Sequence, residues 1–227
     1  MSTASKHTGD RRPIAVRKWS VFQRLAEWLV RRGVSPNTIS IAGMLGAIAA
    51  GAALAATSYL PTLGERLAWL ATAFLIQLRL LANMLDGMVA IEGGRGSAVG
   101  ELYNEVPDRV SDAAVLIGAG YAVGGDVALG YIAACVALFT AYVRAMGKAA
   151  GAQNEFCGPM AKQQRMFIVT VIAVYNGLAP TAWRPTANGP YPWGLMAGGL
   201  VLIVLGGVVT ILRRLLRIAG TLKKAAP

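Results

Sequence analysis

Long apolar runs are the feature that most constrains the fold of this chain. They recur from about residue 37 to residue 212, and 55% of the 227 residues are hydrophobic, whereas soluble domains are usually about 45–50% apolar. A helix of about 20 apolar residues is long enough to cross the hydrocarbon core of a bilayer, where backbone polar groups must be satisfied within the segment itself. The sequence therefore predicts an all-α fold, a polytopic membrane helical bundle.

The apolar runs predict six transmembrane helices, at about residues 37–58, 66–91, 98–123, 127–149, 164–181 and 192–213. An even number of spans leaves both termini on one side of the membrane. The chain carries 22 Lys and Arg residues against 11 Asp and Glu, and many of the basic residues lie near the two ends. Because basic residues concentrate on the cytoplasmic side of membrane proteins, we expect both termini in the cytoplasm and the protein in a bacterial inner membrane.

The two ends of the chain are predicted to differ from the bundle between them. Residues 1–15 are expected to be a disordered tail, residues 16–217 one membrane domain, and residues 218–227 a basic C-terminal tail. Residues 16–32 place apolar side chains at helical spacing opposite a basic face, which predicts an N-terminal amphipathic helix on the membrane surface; the alternative is an extension of the first span. The net charge of +11 is then attributed to contacts with membrane lipids. No nucleic acid partner is expected, since no nucleic-acid-binding motif accompanies the charge.

Two groups of polar residues interrupt the apolar sequence. Asn83 and Asp86 share a face of the second predicted span with Ala90, and Gly87 lies beside them. In the third span, four residues at a strict spacing of four form one stripe: Gly100, Asn104, Asp108 and Asp112. A carboxylate at membrane depth costs roughly 2.5–3.5 kcal/mol on insertion scales, so such residues normally face a cavity or a partner. The short Gly-rich turn between the spans predicts antiparallel neighbours whose polar stripes, on the cytoplasmic side, face each other across a small cavity.

The residue types in these stripes favour metal and phosphate chemistry. Oxygen ligands suit a hard divalent cation such as Mg²⁺ or Mn²⁺, and glycine permits the close approach of a ligand. A metal ion among carboxylates neutralises phosphate charge, while a further carboxylate takes a proton from an attacking hydroxyl group. We therefore expect pyrophosphate chemistry at this site.

The spacing of the stripes resembles that of the CDP-alcohol phosphatidyltransferase family, whose pattern is D-x2-D-G-x2-A-R-x8-G-x3-D-x3-D. Every interval of the pattern fits, with the positions held here by Asn83, Asp86, Gly87, Ala90, Ile91, Gly100, Asn104 and Asp108. The sequence Ser35-Pro36-Asn37-Thr38-x-Ser40 before the first span is also similar to the Pro-Asn-x-x-Thr start of that family's first span. The resemblance covers roughly residues 17–215.

The resemblance implies an integral membrane enzyme of phospholipid synthesis that moves a phosphatidyl or related substituted phosphate group from a CDP-linked donor to an alcohol and releases CMP. It implies Asp108 as the catalytic base. It implies that Mg²⁺ or Mn²⁺ is bound by Asp86 and Asp108 with Asn83 and Asn104, and that CDP is bound by Gly87, Ala90, Gly100, Asn37 and Thr38. The implied partners are a CDP-linked lipid donor, a small alcohol or polyol phosphate acceptor and membrane lipids, and a homodimer is compatible with it.

Three positions depart from the family's pattern. Asn83 and Asn104 stand where acids are usual, and Ile91 stands where an arginine is usual. In the family the four acids bind one or two metal ions, so the loss of two charges predicts weaker binding of a metal pair. Asp112 is the better-placed acid to compensate as a metal ligand, because Glu105 points about 100° away from the stripe on an ideal helix.

Three alternative interpretations remain open. In the first, the pattern closes on Asp108 and Asp112, which puts Asn104 where the glycine belongs. In the second, the polar residues are structural: Arg79 and Arg109 pair with the aspartates, and the protein is a non-catalytic family member. The third is a membrane binding or transport protein that uses the same cavity; inverted halves with broken helices would favour a transporter, and none are evident.

Basic residues near the predicted site are candidates for binding an anionic acceptor. Arg144 and Lys148 end the fourth predicted span, Lys162 and Arg165 begin the fifth, and Arg79 lies in the second. Together they could form a cationic pocket for a polyol phosphate. The alternative is interfacial charge of the kind that flanks membrane spans.

Overall fold

The computed structural model describes residues 19–93, 98–184 and 193–225, without the side chains of residues 98–102, 104 and 225. This part of the chain is all-α, as predicted. Its α-helices are α1 Ser20–Arg31, α2 Pro36–Ala56, α3 Thr62–Glu92, α4 Ala98–Tyr121, α5 Val127–Ala149, α6 Lys162–Leu178 and α7 Leu195–Ala225. Short 3₁₀ turns, Thr57–Tyr59 and Thr181–Trp183, follow α2 and α6. The tail predicted at residues 1–15 lies outside the described residues.

The link between α1 and α2 follows from the local sequence. Gly33 ends the first helix with a positive φ of 73°, a conformation that glycine adopts without steric cost. The Ser35 hydroxyl caps the second helix by accepting the backbone N–H of Thr38 at 3.1 Å, and Pro36 takes the first helical position. A serine cap followed by proline is a favoured helix start, and it fixes the beginning of α2 next to the polar stripes.

α1 lies against the end of α3 that carries the first polar stripe. Ala26 is fully buried there, and it packs in one cluster with Met84 and Leu85. The other face leaves Trp28 about half exposed, at 51%. A helix is therefore present where the sequence predicted one, beginning at Ser20 in the described residues, and its position on a membrane surface stays a prediction.

α2 is the central helix of the bundle and packs along both α3 and α4. Its small residues permit this: a side chain on Gly51 would overlap the backbone of Ala114 in α4, and a side chain on Gly118 would overlap the backbone of Gly51. Close helix approach of this kind is typical of small residues in membrane helices. α4 in turn packs on α5, α5 on α7, and α3 on α6.

The prediction that α3 and α4 are direct neighbours is wrong for most of their length. Within the described residues each packs far more extensively on α2 than on the other, because the glycines and alanines of α2 leave room for both partners. α3 and α4 instead meet through long polar side chains at one end of the bundle.

Among the described residues, four helices are long and apolar enough to cross a membrane: Pro36–Tyr59, Thr62–Glu92, Val127–Ala149 and Leu195–Lys224. Their outer faces expose large apolar side chains such as Leu45, Phe74 and Leu205, as expected of a protein surrounded by lipid. α4 and α6 occupy the places of the third and fifth predicted spans. α4 is rich in charged residues and α6 has only 17 residues, below the about 20 that a span usually needs, so six spans stay a prediction.

The C-terminal helix is longer than predicted. α7 continues to Ala225, well past the expected end at 213, and takes in most of the segment 218–227 that was predicted to be a separate basic tail. Its last turn carries Lys223 and Lys224, and basic residues near a helix C-terminus are favoured by the helix dipole. Residues 226–227 lie outside the described part.

The bundle end far from the polar stripes is fastened by its connecting segments. The Thr57 hydroxyl accepts the N–H of Val123 at 3.0 Å. Asp126 caps α5 by accepting the N–H of Leu129 at 2.8 Å, and it also accepts the indole N–H of Trp193 at 3.0 Å. The backbone N–H of Leu129 and, to a smaller extent, the indole N–H of Trp193 lower the pKa of the Asp126 carboxyl.

Because α7 starts at this end of the bundle, it finishes at the end where the polar stripes meet. Both ends of the described chain therefore lie on that side.

Candidate active site

The two polar stripes meet at one end of the bundle, where side chains of α3 donate hydrogen bonds to side chains of α4. The Asn83 amide donates to Asp108 Oδ1 at 2.9 Å. Arg79, one turn before Asn83, donates to the Asn83 amide oxygen, to Asp108 Oδ1 and, at 2.8 Å, to the hydroxyl of Ser111. The stripes thus face each other, with a guanidinium group lying between them.

Asp108 is the most heavily contacted carboxylate of the site. Besides Arg79 and Asn83, its Oδ1 accepts the ammonium group of Lys162 at 2.6 Å, and both side chains are 15% exposed. Its Oδ2 lies 3.9 Å from the guanidinium of Arg109. In the described part of the chain, Oδ1 is therefore occupied by several donors while Oδ2 has one distant cation.

Asp86 lies one turn beyond Asn83 on the same face of α3 and is only 3% exposed. The Ser40 hydroxyl, in the first turns of α2, donates to its Oδ2 at 2.6 Å. Its Oδ1 is buried and has no hydrogen-bond partner among the described residues. A buried polar atom without a partner costs about 1–3 kcal/mol, so this oxygen marks a position where a bound ligand would be stabilising.

Two further ion pairs border the site, one buried and one near the surface. Arg165 pairs with Asp112 at 2.5 Å, and the two side chains are 3% and 1% exposed. Arg165 also donates to the carbonyl of Met160 at 3.0 Å. Arg144 pairs with Glu105 at 2.6 Å, with side-chain exposures of 22% and 46%. Arg165 is thus fixed inside the bundle, whereas Arg144 is accessible from the surface.

The structure brings together Asn83, Asp86, Asp108 and Arg79 of the predicted site residues. Asp112 is close but pairs with Arg165 rather than with the α3 stripe. The Arg79–Asp108 ion pair is one of the contacts expected from the second alternative, in which the polar residues are structural and the protein is non-catalytic.

The remaining predicted residues surround this group. Gly87 and Ala90 are half-buried on α3, and Asn37 and Thr38 lie in the first turn of α2, close in sequence to Ser40. Gly100 and Asn104 belong to α4, but the Asn104 side chain lies outside the described part. Their assigned roles stay predictions.

Three side chains make site contacts that the sequence did not predict: Ser40, Ser111 and Lys162. Ser40 was noted only as part of the helix start that resembles the family's, and Lys162 only as a possible acceptor-binding or interfacial charge. Lys162 is 54 positions from Asp108, and no local pattern reveals a contact over that distance. Ser111 lies one position before the Asp112 end of the α4 stripe. Ser40 carried a usable signal, because it follows Pro36 by one turn in a helix start that resembles the family's.

The donor atoms of the described side chains fit one divalent metal ion better than two. Asp86 Oδ1 is a buried carboxylate oxygen open to a ligand, whereas the Asn83 oxygen and Asp108 Oδ1 already accept hydrogen bonds from Arg79. No group of three or more His, Cys, Asp or Glu side chains in the described residues is arranged to hold a metal ion. A single ion at Asp86 could complete its shell with water or phosphate oxygens; a pair held between carboxylates does not fit.

Comparison with known proteins decides the family. No protein-family model matches the chain. The phosphatidylinositol phosphate synthase of Mycolicibacterium smegmatis is 30% identical over 196 residues, which cover 84% of this chain and 80% of the relative. The chain belongs to the CDP-alcohol phosphatidyltransferase family. A phosphatidylinositol phosphate synthase of Streptomyces avermitilis is 28% identical over 207 residues, covering 87% of this chain and 78% of that protein.

Solved structures show the same fold. The phosphatidylinositol phosphate synthase of Mycobacterium tuberculosis, in complex with manganese and citrate, superposes with a TM-score of 0.68 at 24% identity, covering 87% of this chain and 88% of that one. Its apo form gives a TM-score of 0.62 at 25% identity, covering 85% and 93%. The chain is an integral membrane CDP-alcohol phosphatidyltransferase, an enzyme of phospholipid synthesis.

Proposed function

We propose that this CDP-alcohol phosphatidyltransferase takes its phosphatidyl group from CDP-diacylglycerol and transfers it to a hydroxyl group of an anionic polyol such as a polyol phosphate. The observation that carries the proposal is the meeting of Asp86 and Asp108 at one bundle end, bordered by cationic side chains from three helices: Arg79 of α3, Arg144 of α5 and Lys162 of α6. Retained acids suit phosphoryl transfer, and a cationic border suits anionic substrates. The names of the relatives in Mycolicibacterium and Streptomyces agree with a phosphorylated polyol acceptor.

Asp108 is proposed as the base. The acceptor oxygen attacks the phosphorus of the phosphatidyl group, and the bond from that phosphorus to the CMP oxygen breaks. CMP leaves with the electron pair of that bond, and the hydroxyl proton passes to the carboxylate. Asp108 Oδ2 is the oxygen suited to take it, because Arg79, Asn83 and Lys162 all donate to Oδ1. These three donors also fix the orientation of the carboxylate.

The nucleotide and a metal ion are proposed to lie along α3 and the start of α2. Gly87, Ala90 and Gly100 would permit close approach of CDP, with Asn37 and Thr38 at its edge. A single Mg²⁺ or Mn²⁺ ion held through Asp86 would supply positive charge to the diphosphate. Ser40 fixes the Asp86 carboxylate for this role.

Arg144 is the better candidate for holding the acceptor. Its ion pair with Glu105 is partly exposed, and a pair of that kind contributes only about 0–1 kcal/mol, so an anionic ligand can displace it. Arg165 would have to abandon the buried Asp112 carboxylate, which is far more costly. We therefore assign acceptor binding to Arg144 and a structural role to Arg165.

We further propose six spans, with the site and both termini in the cytoplasm and the enzyme in a bacterial inner membrane. At the end where the stripes meet, the described chain carries basic residues in α1, α5, α6 and α7, while the opposite end carries Arg66 and Arg184. This asymmetry follows the positive-inside rule.

The proposal is tested with purified protein in lipid nanodiscs and CDP-diacylglycerol. CMP release is measured with inositol phosphate, glycerol phosphate, inositol, glycerol and serine as acceptors, each with Mg²⁺, Mn²⁺ or EDTA. We expect release with a phosphorylated polyol and a divalent ion. Release with uncharged acceptors alone would contradict the acceptor assignment. Binding of CDP-diacylglycerol without CMP release under every condition would favour the non-catalytic alternative.

A further inference from the structure

Arg79 is built into the space between the two stripes. Its side chain is 2% exposed, and it donates from Nε to Ser111, from Nη1 to Asn83 and from Nη2 to Asp108. Ser111 is itself held by donating to the carbonyl of Pro107 at 2.7 Å. The guanidinium is therefore fixed by side chains from both helices.

The neighbouring helix makes room for this arginine. A side-chain carbon added to Gly43 of α2 would lie 3.0 Å from Arg79 Nη1 and 3.2 Å from its Cδ, and 2.8 Å from the side chain of Ala82. Gly46, one turn further along α2, has nothing within 4 Å of such a carbon. The lack of a side chain at Gly43 therefore leaves the space that the Arg79 side chain fills.

Two positive charges already lie at this point, because Arg79 and Lys162 both donate to Asp108 Oδ1. Asn83 Oδ1 and Asp108 Oδ1 both face the guanidinium, and together they carry one negative charge. An aspartate at position 83 would bring a second negative charge to the same point, and the charges of Arg79 and Lys162 together would balance it without a further metal ion. Buried charges are stable only when they are paired, so the cationic Arg79 and the neutral Asn83 are compatible neighbours of Asp108.

We propose that the Arg79 guanidinium supplies the fixed positive charge between Asn83 and Asp108 that a divalent ion would otherwise provide. Arg79 is then a positioning residue that orients Asp108, and the enzyme binds at most one divalent ion, through Asp86. This inference rests on the proposed function for its chemistry, but the test of ion number measures Mn²⁺ binding and needs no turnover.

The test is the number of Mn²⁺ ions bound per protein chain, measured by the electron paramagnetic resonance signal of free Mn²⁺ during titration. The wild type should bind one ion or none. Asn83→Asp alone should bind no additional ion, because Arg79 remains in place. Arg79→Gln with Asn83→Asp should bind one additional ion. Arg79→Gln alone should not, since it adds no carboxylate.

Two control variants test whether the gain of an ion requires removal of the positive charge at position 79 itself, and not of any nearby cation. Arg109→Gln with Asn83→Asp removes a cation that lies 3.9 Å from Asp108 and pairs mainly with Glu105, and it should gain no ion. Arg79→Lys with Asn83→Asp keeps a positive charge and should also gain none. Both should be folded, as checked by a single gel-filtration peak and a cooperative melt.

Gain of an ion by Asn83→Asp alone would overturn the inference, because Arg79 would then not occupy the ion's position. So would equal gain in the Arg79→Lys and Arg79→Gln double variants. If the Arg79→Gln variants fail to fold, Asn83→Asp and the Arg79→Lys double variant still decide the question, because both retain the buried cation. Added guanidinium ion should also raise the rate of CMP release by Arg79→Ala at least tenfold over the rate without it. The number of bound Mn²⁺ ions should not rise. Absence of that rescue in a folded variant would contradict the positioning role.

Failure of this inference is distinguishable from failure of the proposed function. CMP release by the wild type tests the function, whereas Mn²⁺ stoichiometry tests the role of Arg79. An active wild type with a two-ion site would sink only the inference, and an inactive protein with the predicted stoichiometries would sink only the function.

Discussion

Lys162, the first residue of α6, donates to the carboxylate of Asp108 at 2.6 Å across 54 positions of the chain. Arg79 of α3 donates to the same oxygen. A single carboxylate on α4 therefore joins three helices at the candidate active site. The group proposed to do the chemistry is also the group on which the local architecture converges.

Ser40 should stabilise the protein through Asp86. Its hydroxyl makes the 2.6 Å hydrogen bond to a carboxylate whose other oxygen has no described partner. We expect Ser40→Ala to lower the free energy of unfolding by about 1.5–3 kcal/mol, the range for hydrogen bonds to charged groups, and to weaken Mn²⁺ binding. Denaturant titration in detergent measures the first effect and Mn²⁺ titration the second.

Ser58→Ala is the matched control, because Ser58 donates to a backbone carbonyl, that of Tyr121, and is exposed at the opposite end of the bundle. Equal losses of stability in the two variants, with unchanged Mn²⁺ affinity in Ser40→Ala, would remove Ser40 from the site.

Arg165 and Arg144 should respond differently to loss of charge. Arg165→Gln leaves the buried Asp112 carboxylate without its cation, and breaking a buried pair costs about 3–5 kcal/mol. Adding Asp112→Asn should recover much of that loss. Arg144→Gln should change stability by less than about 1 kcal/mol but raise the acceptor KM about ten- to a hundredfold, with little change in the donor KM.

Thermal unfolding and steady-state kinetics of the three variants test this assignment. A stable Arg165→Gln enzyme with a raised acceptor KM would reverse the two roles, and equal effects of Arg144→Gln on both substrates would leave it as interfacial charge.

The sequence predicted the parts of the site that follow from helical spacing. The four-residue interval from Asn104 to Asp108 and the three-residue interval from Asn83 to Asp86 identify shared faces, and the helices do bring Asn83 to Asp108. Spacing defines a face but not the direction of a long side chain. It could therefore place Arg79 near the site, but it could not show that the guanidinium lies between the stripes.

For the overall fold, the sequence predicted the helices correctly but not which helices are neighbours. Apolar runs locate helices well, and all six predicted core helices are present. Which helices are neighbours depends on how closely backbones approach, and that was set by residues such as Gly51 and Gly118, whose partners lie far away in sequence. The position of α2 between α3 and α4 was missed for that reason.

The contact between α2 and α4 should tolerate no added carbon. A side chain on Gly118 would overlap the backbone of Gly51, so Gly118→Ala should cost about 1–3 kcal/mol through overpacking. Gly46→Ala is the control, since no atom lies within 4 Å of the added carbon. It should be neutral or slightly stabilising, because alanine favours helix by about 1 kcal/mol over glycine. Melting temperatures in nanodiscs compare the two, and equal melting temperatures would contradict the packing of α2 on α4.

The site should face the cytoplasm. In a background lacking Cys135 and Cys157, Glu92→Cys places an exposed thiol at the end of α3 where the stripes meet, and Tyr59→Cys places one at the opposite end. An impermeant maleimide should label position 59 in intact cells and position 92 in inside-out vesicles only. The reverse pattern would overturn the orientation.

The most direct test of the central claim is CMP release from CDP-diacylglycerol by the wild type and by Asp108→Asn, side by side. The asparagine keeps the shape and the oxygen that Arg79 and Lys162 contact, but it cannot take a proton. Loss of a general base typically lowers the rate about 10²- to 10⁴-fold. We predict CMP release and a new phospholipid from the wild type with a polyol phosphate, and a loss of that size in the folded variant. Activity of Asp108→Asn within threefold of the wild type would contradict the account.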